Sequence, residues 1–323
     1  MIDPDYLRTV KLTGDAKFMR LVGRFLRHVD HRIPKKTKVT FEHLERLPPP
    51  GRPIILAMNH TDRFNYWPLQ LGLHMQKKGL TATWVKGKYY ENKVMASFLS
   101  ACNGIPLPSR GYVITTEFRR IAERPPESDE YRSLRTLVDE GAWDGDFTSM
   151  ARRFVNAHGG PEAFKVWFED LWSRMIEEVT RLNQRAFQLG LYLLVFPQGT
   201  RSIRLSRGQI GLVQMAQHLN ADIVPVGCNG SDKLYPGNSP FSKGGTVHYR
   251  IGEPMKLDSE DLAQFRVHEP FVPFSPAAKE KHGDKFRGLT DLMMDRINDL
   301  LDPEYQFSDD QSSDGVKEMN RFV

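Results

Sequence analysis

Cysteine is nearly absent from this chain: Cys102 and Cys228 are the two in 323 residues, far apart and outside any CxxC pair. Their spacing excludes a disulfide framework and a paired-cysteine zinc site, and it predicts reduced, buried thiols that pack as small hydrophobes. No unbroken apolar run approaches the ~18 residues of a membrane-spanning helix. The opening stretch MIDPDYLRTVKLTGD has no apolar core and no small-residue cleavage site, so the sequence predicts a cytoplasmic chain. Missing too are GxxxxGKS/T, a GxGxxG after a strand, GxSxG and HExxH, which removes the usual support for nucleotide, serine-hydrolase and zinc chemistry. Glycine and proline together, 25 and 21 residues, stay well below the ~25% of low-complexity chains. There is no internal repeat.

What is present is an ordinary globular composition with a basic excess. The net charge is +5, which favours anionic partners without choosing among them. Much of the excess lies between Lys11 and Lys38, whereas the stretch after Leu300 is acidic and polar. Aromatic residues do not interleave with cations beyond the first helix, so no nucleic-acid partner is expected. Within Ile2 to Arg32, a helix starting near Asp15 would carry Phe18, Val22, Phe25 and Val29 on one stripe, flanked by Met19, Leu21 and Leu26. Lys17, Arg20, Arg24, Arg27 and His31 fall opposite. Such a basic amphipathic helix suits either packing on its own domain or the interface of an anionic membrane.

After the breaker cluster Pro48-Pro49-Pro50-Gly51, the run Pro53–Met58 has the length and apolarity of a buried strand. Thr81–Lys86 and the stretches 191–196 (LYLLVF), 222–227 (DIVPVG) and 246–251 (TVHYRI) repeat the type. Helical patterns separate them at Pro68–Lys78, Lys93–Ala101, Pro161–Leu189 and Gln209–Leu219. Buried strands alternating with helices predict an α/β fold with a largely parallel sheet flanked by helices. The domain expectation is a basic amphipathic helical region at 1–46, a main domain at 47–302 with a helical insertion at about 112–190, and a mobile polar tail at 303–323. On the long insertion helix Phe164, Trp167, Phe168, Leu171, Trp172, Met175, Val179 and Leu182 recur at three- and four-residue steps. They suit core packing or the lining of an acyl-chain site.

The candidate chemistry lies just after the strands, where open α/β sheets place their ligands. Asn59-His60-Thr61-Asp62-Arg63-Phe64-Asn65 follows the first buried run and Phe196-Pro197-Gln198-Gly199-Thr200-Arg201-Ser202 follows LYLLVF. In the second block glycine permits close backbone approach, and an arginine beside backbone amides suits a phosphate. Val224-Pro225-Val226 occupies a third strand, and Gly104–Gly111, containing Arg110, closes a segment that begins at Lys86-Gly87-Lys88.

Taken in their order along the chain, the four blocks resemble the glycerophospholipid acyltransferase family, whose type member acylates lysophosphatidate. The resemblance covers about residues 47–227 apart from the insertion. It implies a layered α/β fold at a membrane surface, peripheral on its inner face. Acyl-CoA or acyl-carrier protein would be the donor substrate, with no metal or other cofactor, and a lysophospholipid-like, phosphate-bearing lipid would be the acceptor. His60 would be the general base, with Asn65 or Asp62 as its partner. Arg201, Arg110, Lys86 and Lys88 would hold the phosphate, and Gln198, Gly199 and Thr200 would shape the loop beside it. Two positions depart from the family pattern: Asn65 stands where the family has Asp, and Gln198 where it has Glu. Both replacements keep shape and remove charge, so a catalytically silent protein that binds lipid or membrane is the alternative reading.

Overall fold

The computed structural model describes residues 2–15, 17–25, 37–49, 51–143, 148–237 and 239–312. The chain divides into two compact units, a smaller one of residues 1–11, 84–100 and 104–183 and a larger one of 12–83, 101–103 and 184–323.

The larger unit is built on a sheet that is parallel except at one junction, as the alternating pattern predicts. Its strands are β1 (Thr37–Glu42), β2 (Ile54–Met58), the first half of β3 (Thr81–Lys86), β5 (Tyr192–Val195), β6 (Asp222–Asn229) and β7 (Gly245–Ile251). They lie in the order β1-β7-β6-β2-β5-β3, with β6 and β7 antiparallel and the other neighbours parallel. Every residue of β2, β5 and β6 is buried. That explains why these strands read as continuous apolar runs rather than alternating ones, since both faces of a central parallel strand are covered. Leu56, Leu194 and Val224 from adjacent strands share a core with Leu69 and Leu73 of α3 (Tyr66–Met75). The unit's other helices are α2 (Lys17–Phe25), α9 (Gly211–Leu219), the single turn α10 (Ser231–Leu234) and α11 (Pro276–Asn298).

The smaller unit holds the end of β3, β4 (Gly104–Leu107), α1 (Pro4–Thr9), α4 (Lys93–Ala101) up to Ser100, α5 (Arg110–Ala122), α6 (Ser128–Glu140), α7 (Ser149–Ala157) and α8 (Pro161–Gln188) as far as Asn183. The apolar stripe of α8 is buried from Phe164 through Leu182, with Trp167 half-buried, so in this structure it is core.

Three features differ from the sequence reading. Strand β1 and helix α11 carried no strong pattern, because β1 is a half-exposed edge strand and Gly283 and Gly288 interrupt the apolar positions of α11. Helix α2 turns Gly23 inward, where a Cβ would meet Leu71 Cδ1 at 3.2 Å, and this leaves Phe18, Leu21 and Phe25 exposed. Leu26, Arg27, Val29 and His31 of the expected helix lie outside the described residues. Finally, the expected tail is built onto the larger unit as far as Ser312: Tyr305 is buried and its hydroxyl donates to Asp232 at 2.7 Å. Residues 313–323 lie outside the described part.

Candidate functional site

Strand β2 delivers Asn59 and His60 to the carboxyl end of the sheet. Asn59 extends the β2–β6 pairing with its side chain: its Oδ1 accepts from the Cys228 N–H at 2.7 Å and its Nδ2 donates to the Cys228 carbonyl at 2.9 Å. This pair of hydrogen bonds fixes where the next residue, His60, leaves the strand.

Asn65, fully buried at the start of α3, faces the imidazole. Its Nδ2 donates to the Asn59 carbonyl at 2.9 Å, and its Oδ1 lies 3.3 Å from His60 Nδ1. A carbonyl only accepts, so the amide nitrogen must be the atom on the Asn59 side, and the oxygen is left for the ring. An oxygen at Nδ1 selects the tautomer with the proton on Nδ1, which makes Nε2 the lone-pair nitrogen. Tyr249 of β7 secures the arrangement by donating from its hydroxyl to the Asn65 carbonyl at 2.5 Å. The imidazole also stacks on Phe196, with ring centroids 4.1 Å apart.

Asp62 is spent on the turn rather than on the ring. Its carboxylate accepts from the Phe64 N–H at 2.8 Å and from the Thr61 hydroxyl at 3.0 Å, closing the loop that leads into α3. Burial pushes this carboxyl up to about 6 against the pull of those donors.

The second loop follows β5 and is tied to the first. Gln198 Oε1 accepts from the His60 N–H at 2.8 Å, while the Ser202 N–H donates to the His60 carbonyl at 2.9 Å. The Gln198 amide nitrogen donates onward to Ser206 Oγ at 3.3 Å and to the Arg204 carbonyl at 3.5 Å. Gln198 is therefore a bridge inside the chain, and a neutral amide suits it because it must both accept and donate. Gly199 turns the loop at φ 73°, a left-handed conformation, and a Cβ there would meet Gln209 Cγ at 3.3 Å. Thr200 is exposed and Arg201 is buried next to it.

Seven of the sequence-predicted residues, His60, Asp62, Asn65, Gln198, Gly199, Thr200 and Arg201, thus stand on two joined loops of the larger unit. Lys86, Lys88 and Arg110 belong to the smaller unit. There Arg110 is heavily engaged. It donates to Asp139 at 2.9 Å, to both Glu169 oxygens at 3.2 and 2.5 Å and to the Val138 carbonyl at 3.0 Å, and it stacks over Phe168 and Trp172. Two carboxylates already balance its charge. Lys88 Nζ lies 5.8 Å from the Tyr89 ring centre, and Lys86 ends β3 in an exposed position. Sequence reading passed over Tyr249 and the second half of the loop, Arg204 and Ser206, because their partners lie far away in the chain or act through backbone atoms. Among the described residues no group of acidic, histidine or cysteine side chains is arranged to hold a metal ion. No described helix is long and apolar enough to cross a membrane.

No protein-family model matches this chain, and no curated protein matches it. Among solved structures, the crystal structure of PlsC, the 1-acyl-sn-glycerophosphate (LPA) acyltransferase of Thermotoga maritima, is similar over 90% of this chain and 80% of that one, with 17% identity and a TM-score of 0.40.

Proposed function

We propose that the protein is an O-acyltransferase that moves a fatty acyl group from a thioester donor, acyl-CoA or acyl-carrier protein, to a hydroxyl of a phosphate-bearing glycerolipid at an anionic membrane surface. The observation that carries the reading is the oriented His60–Asn65 pair, which leaves Nε2 as a base at the end of a central strand. The order of the four sequence blocks supplies the substrate class.

In this reading His60 Nε2 takes the proton of the acceptor hydroxyl as its oxygen attacks the thioester carbonyl carbon. The carbonyl becomes a tetrahedral oxyanion, and its collapse breaks the carbon–sulfur bond. The departing thiolate receives the proton back from the imidazolium, and the ester leaves. Asn65 holds Nδ1–H throughout and supports the imidazolium by a hydrogen bond without a charge. Arg201, buried in the adjoining loop, is the cation for the phosphate. Arg110, Lys86 and Lys88, the other cations that the family resemblance suggests, belong to the smaller unit, where Asp139 and Glu169 already hold Arg110.

The test is mass spectrometry of products after incubation with mixed acyl donors and lysolipids. His60→Ala is expected to lower turnover at least ~10²-fold with the fold intact, and Arg201→Ala to raise KM for the phosphorylated acceptor far more than for the donor. Near-normal transfer by the His60→Ala variant removes the base assignment. The neutral Asn65 favours one second reading, a silent lipid-binding protein. Retained lysolipid binding with no transfer from any donor would select it.

A further inference from the structure

We infer that residues 302–312 form a strap that helps set the catalytic loops, with Arg204 as the positioning residue through which the strap reaches His60; the catalytic part of this inference rests on the acyltransferase reading above. The strap is anchored at both ends. Near its start the Asp302 N–H donates to Asn229 Oδ1 at 2.7 Å, and the Tyr305 hydroxyl donates to Asp232 at 2.7 Å. Further on, the Phe307 N–H donates to Asn298 Oδ1 at 2.8 Å and the Arg207 N–H reaches the Gln311 carbonyl at 3.2 Å.

Between these anchors the strap lies along the loop that carries the arginine motif. The Leu205 N–H donates to the Tyr305 carbonyl at 2.8 Å. One residue earlier, Arg204 spreads its guanidinium over two consecutive strap carbonyls, Nε to Gln306 at 3.2 Å and Nη2 to Phe307 at 2.9 Å. On its other side the same stretch of loop holds Gln198, through the Arg204 carbonyl and Ser206 Oγ, and Gln198 holds the His60 N–H. A continuous hydrogen-bonded path therefore runs from the strap through Arg204 and Gln198 to the backbone of the proposed base. The guanidinium presents Nε–H and Nη2–H to the two carbonyls in one rigid, preset fork; an ammonium has its three donors on a single nitrogen and lacks that spacing. Arg204 touches no reacting atom in this scheme and acts by fixing the loop.

The test compares the full-length protein with Arg204→Ala and Arg204→Lys by hydrogen exchange and steady-state kinetics. In Arg204→Ala, exchange should quicken in peptides 57–66 and 196–210 and stay unchanged in α9 and in the smaller unit, because opening is local when a tether is lost. Turnover should fall about tenfold or more with donor KM within about twofold, as expected when positioning and not binding is lost. Added guanidinium ion should restore part of it, and Arg204→Lys should recover less than half of the loss. Faster exchange in 196–210 with none in 57–66 would break the path to His60 and overturn the inference, as would normal turnover. If the wild-type protein transfers no acyl group from any donor, the acyltransferase reading fails, and the exchange experiment still decides whether the strap holds the His60 loop.

Discussion

At the scale of single residues, the candidate site turns on Asn65, an amide that faces the imidazole without the charge a carboxylate would bring. In a serine-protease triad the same loss of charge costs roughly 10⁴ in turnover, largely through the wrong tautomer. Here the Asn65 amide is held by the Asn59 carbonyl, so its oxygen faces Nδ1 and the tautomer is the useful one. An aspartate at this position would place a carboxylate oxygen against that carbonyl, acceptor against acceptor, at a fully buried position. Asn65→Asp is therefore expected to fold well only when protonated, so that its O–H replaces the lost N–H. Burial raises the folded-state pKa of such a group, so its stability holds at low pH and declines as pH rises through that value. Thermal melts should show a loss on the order of 1–3 kcal/mol near pH 8 that recovers toward pH 5. A variant as stable as wild type at both pH values would mean the Asn59 contact does not fix Asn65. A double-mutant cycle with Ala at His60 and Asn65 should show turnover losses that are not additive.

At the scale of elements, α2 is where sequence and structure ask for one more measurement. At 100° per residue Phe18, Leu21 and Phe25 fall within about 60°, and Lys17, Arg20 and Arg24 fall within the adjoining sector. All three apolar side chains are exposed, Leu21 at 62%. Arg20 is paired with Asp15, while the opposite side of the helix rests on α3 through Gly23. An apolar stripe beside cations fits an anionic membrane interface, where each basic side chain is worth ~1 kcal/mol. Arg20→Glu with Arg24→Glu should therefore weaken binding to anionic vesicles at least tenfold and leave neutral vesicles unaffected; unchanged binding would return α2 to a packing role. Legibility at this scale followed burial. Strands β2, β5 and β6 were readable because central parallel strands leave an unbroken apolar trace, and α4 and α8 because their patterns run without interruption. Edge strand β1, the glycine-interrupted α11 and the strap had no such trace. In the site, NH and FPQGTRS were readable as local motifs. The contacts that orient them, Tyr249 on Asn65 and Arg204 on the strap, join positions 184 and about 100 residues apart, and no local pattern reports such pairs.

At the scale of the whole molecule, the two units hold buried carboxylates under opposite regimes, and this separates their response to acid. In the smaller unit, burial would lift Glu117, but hydrogen bonds from Arg120 and His158 hold it down at about 2. Glu130 is held at about 2 chiefly by the bidentate Arg124 pair, with the Glu127 N–H and the Thr148 hydroxyl adding to it. For such depressed carboxyls the stabilisation is fully present above the unfolded value near 4.5 and is lost as pH falls toward about 2. In the larger unit Asp62 runs the other way: raised to about 6 by burial, it weighs against the fold as a carboxylate and ceases to do so as pH falls through 6 toward 4. Acidification from pH 7 to 5 should therefore leave the smaller unit unchanged while beginning to tighten the His60 loop, and further acidification to pH 2.5 should loosen the smaller unit. Hydrogen exchange read separately in peptides of α5–α7 and of β2–α3 would follow both transitions. Glu117→Gln together with Glu130→Gln should remove the pH dependence of α5–α7 below 4.5, at the cost of lower protection at pH 7, because two charge-assisted networks are lost. Asp62→Asn should flatten the response of β2–α3 between pH 4 and 6 without touching α5–α7. Protection in α5–α7 that falls already between pH 7 and 5.5 would contradict the assignment, since there Glu117 and Glu130 are charged in the folded and the opened state alike.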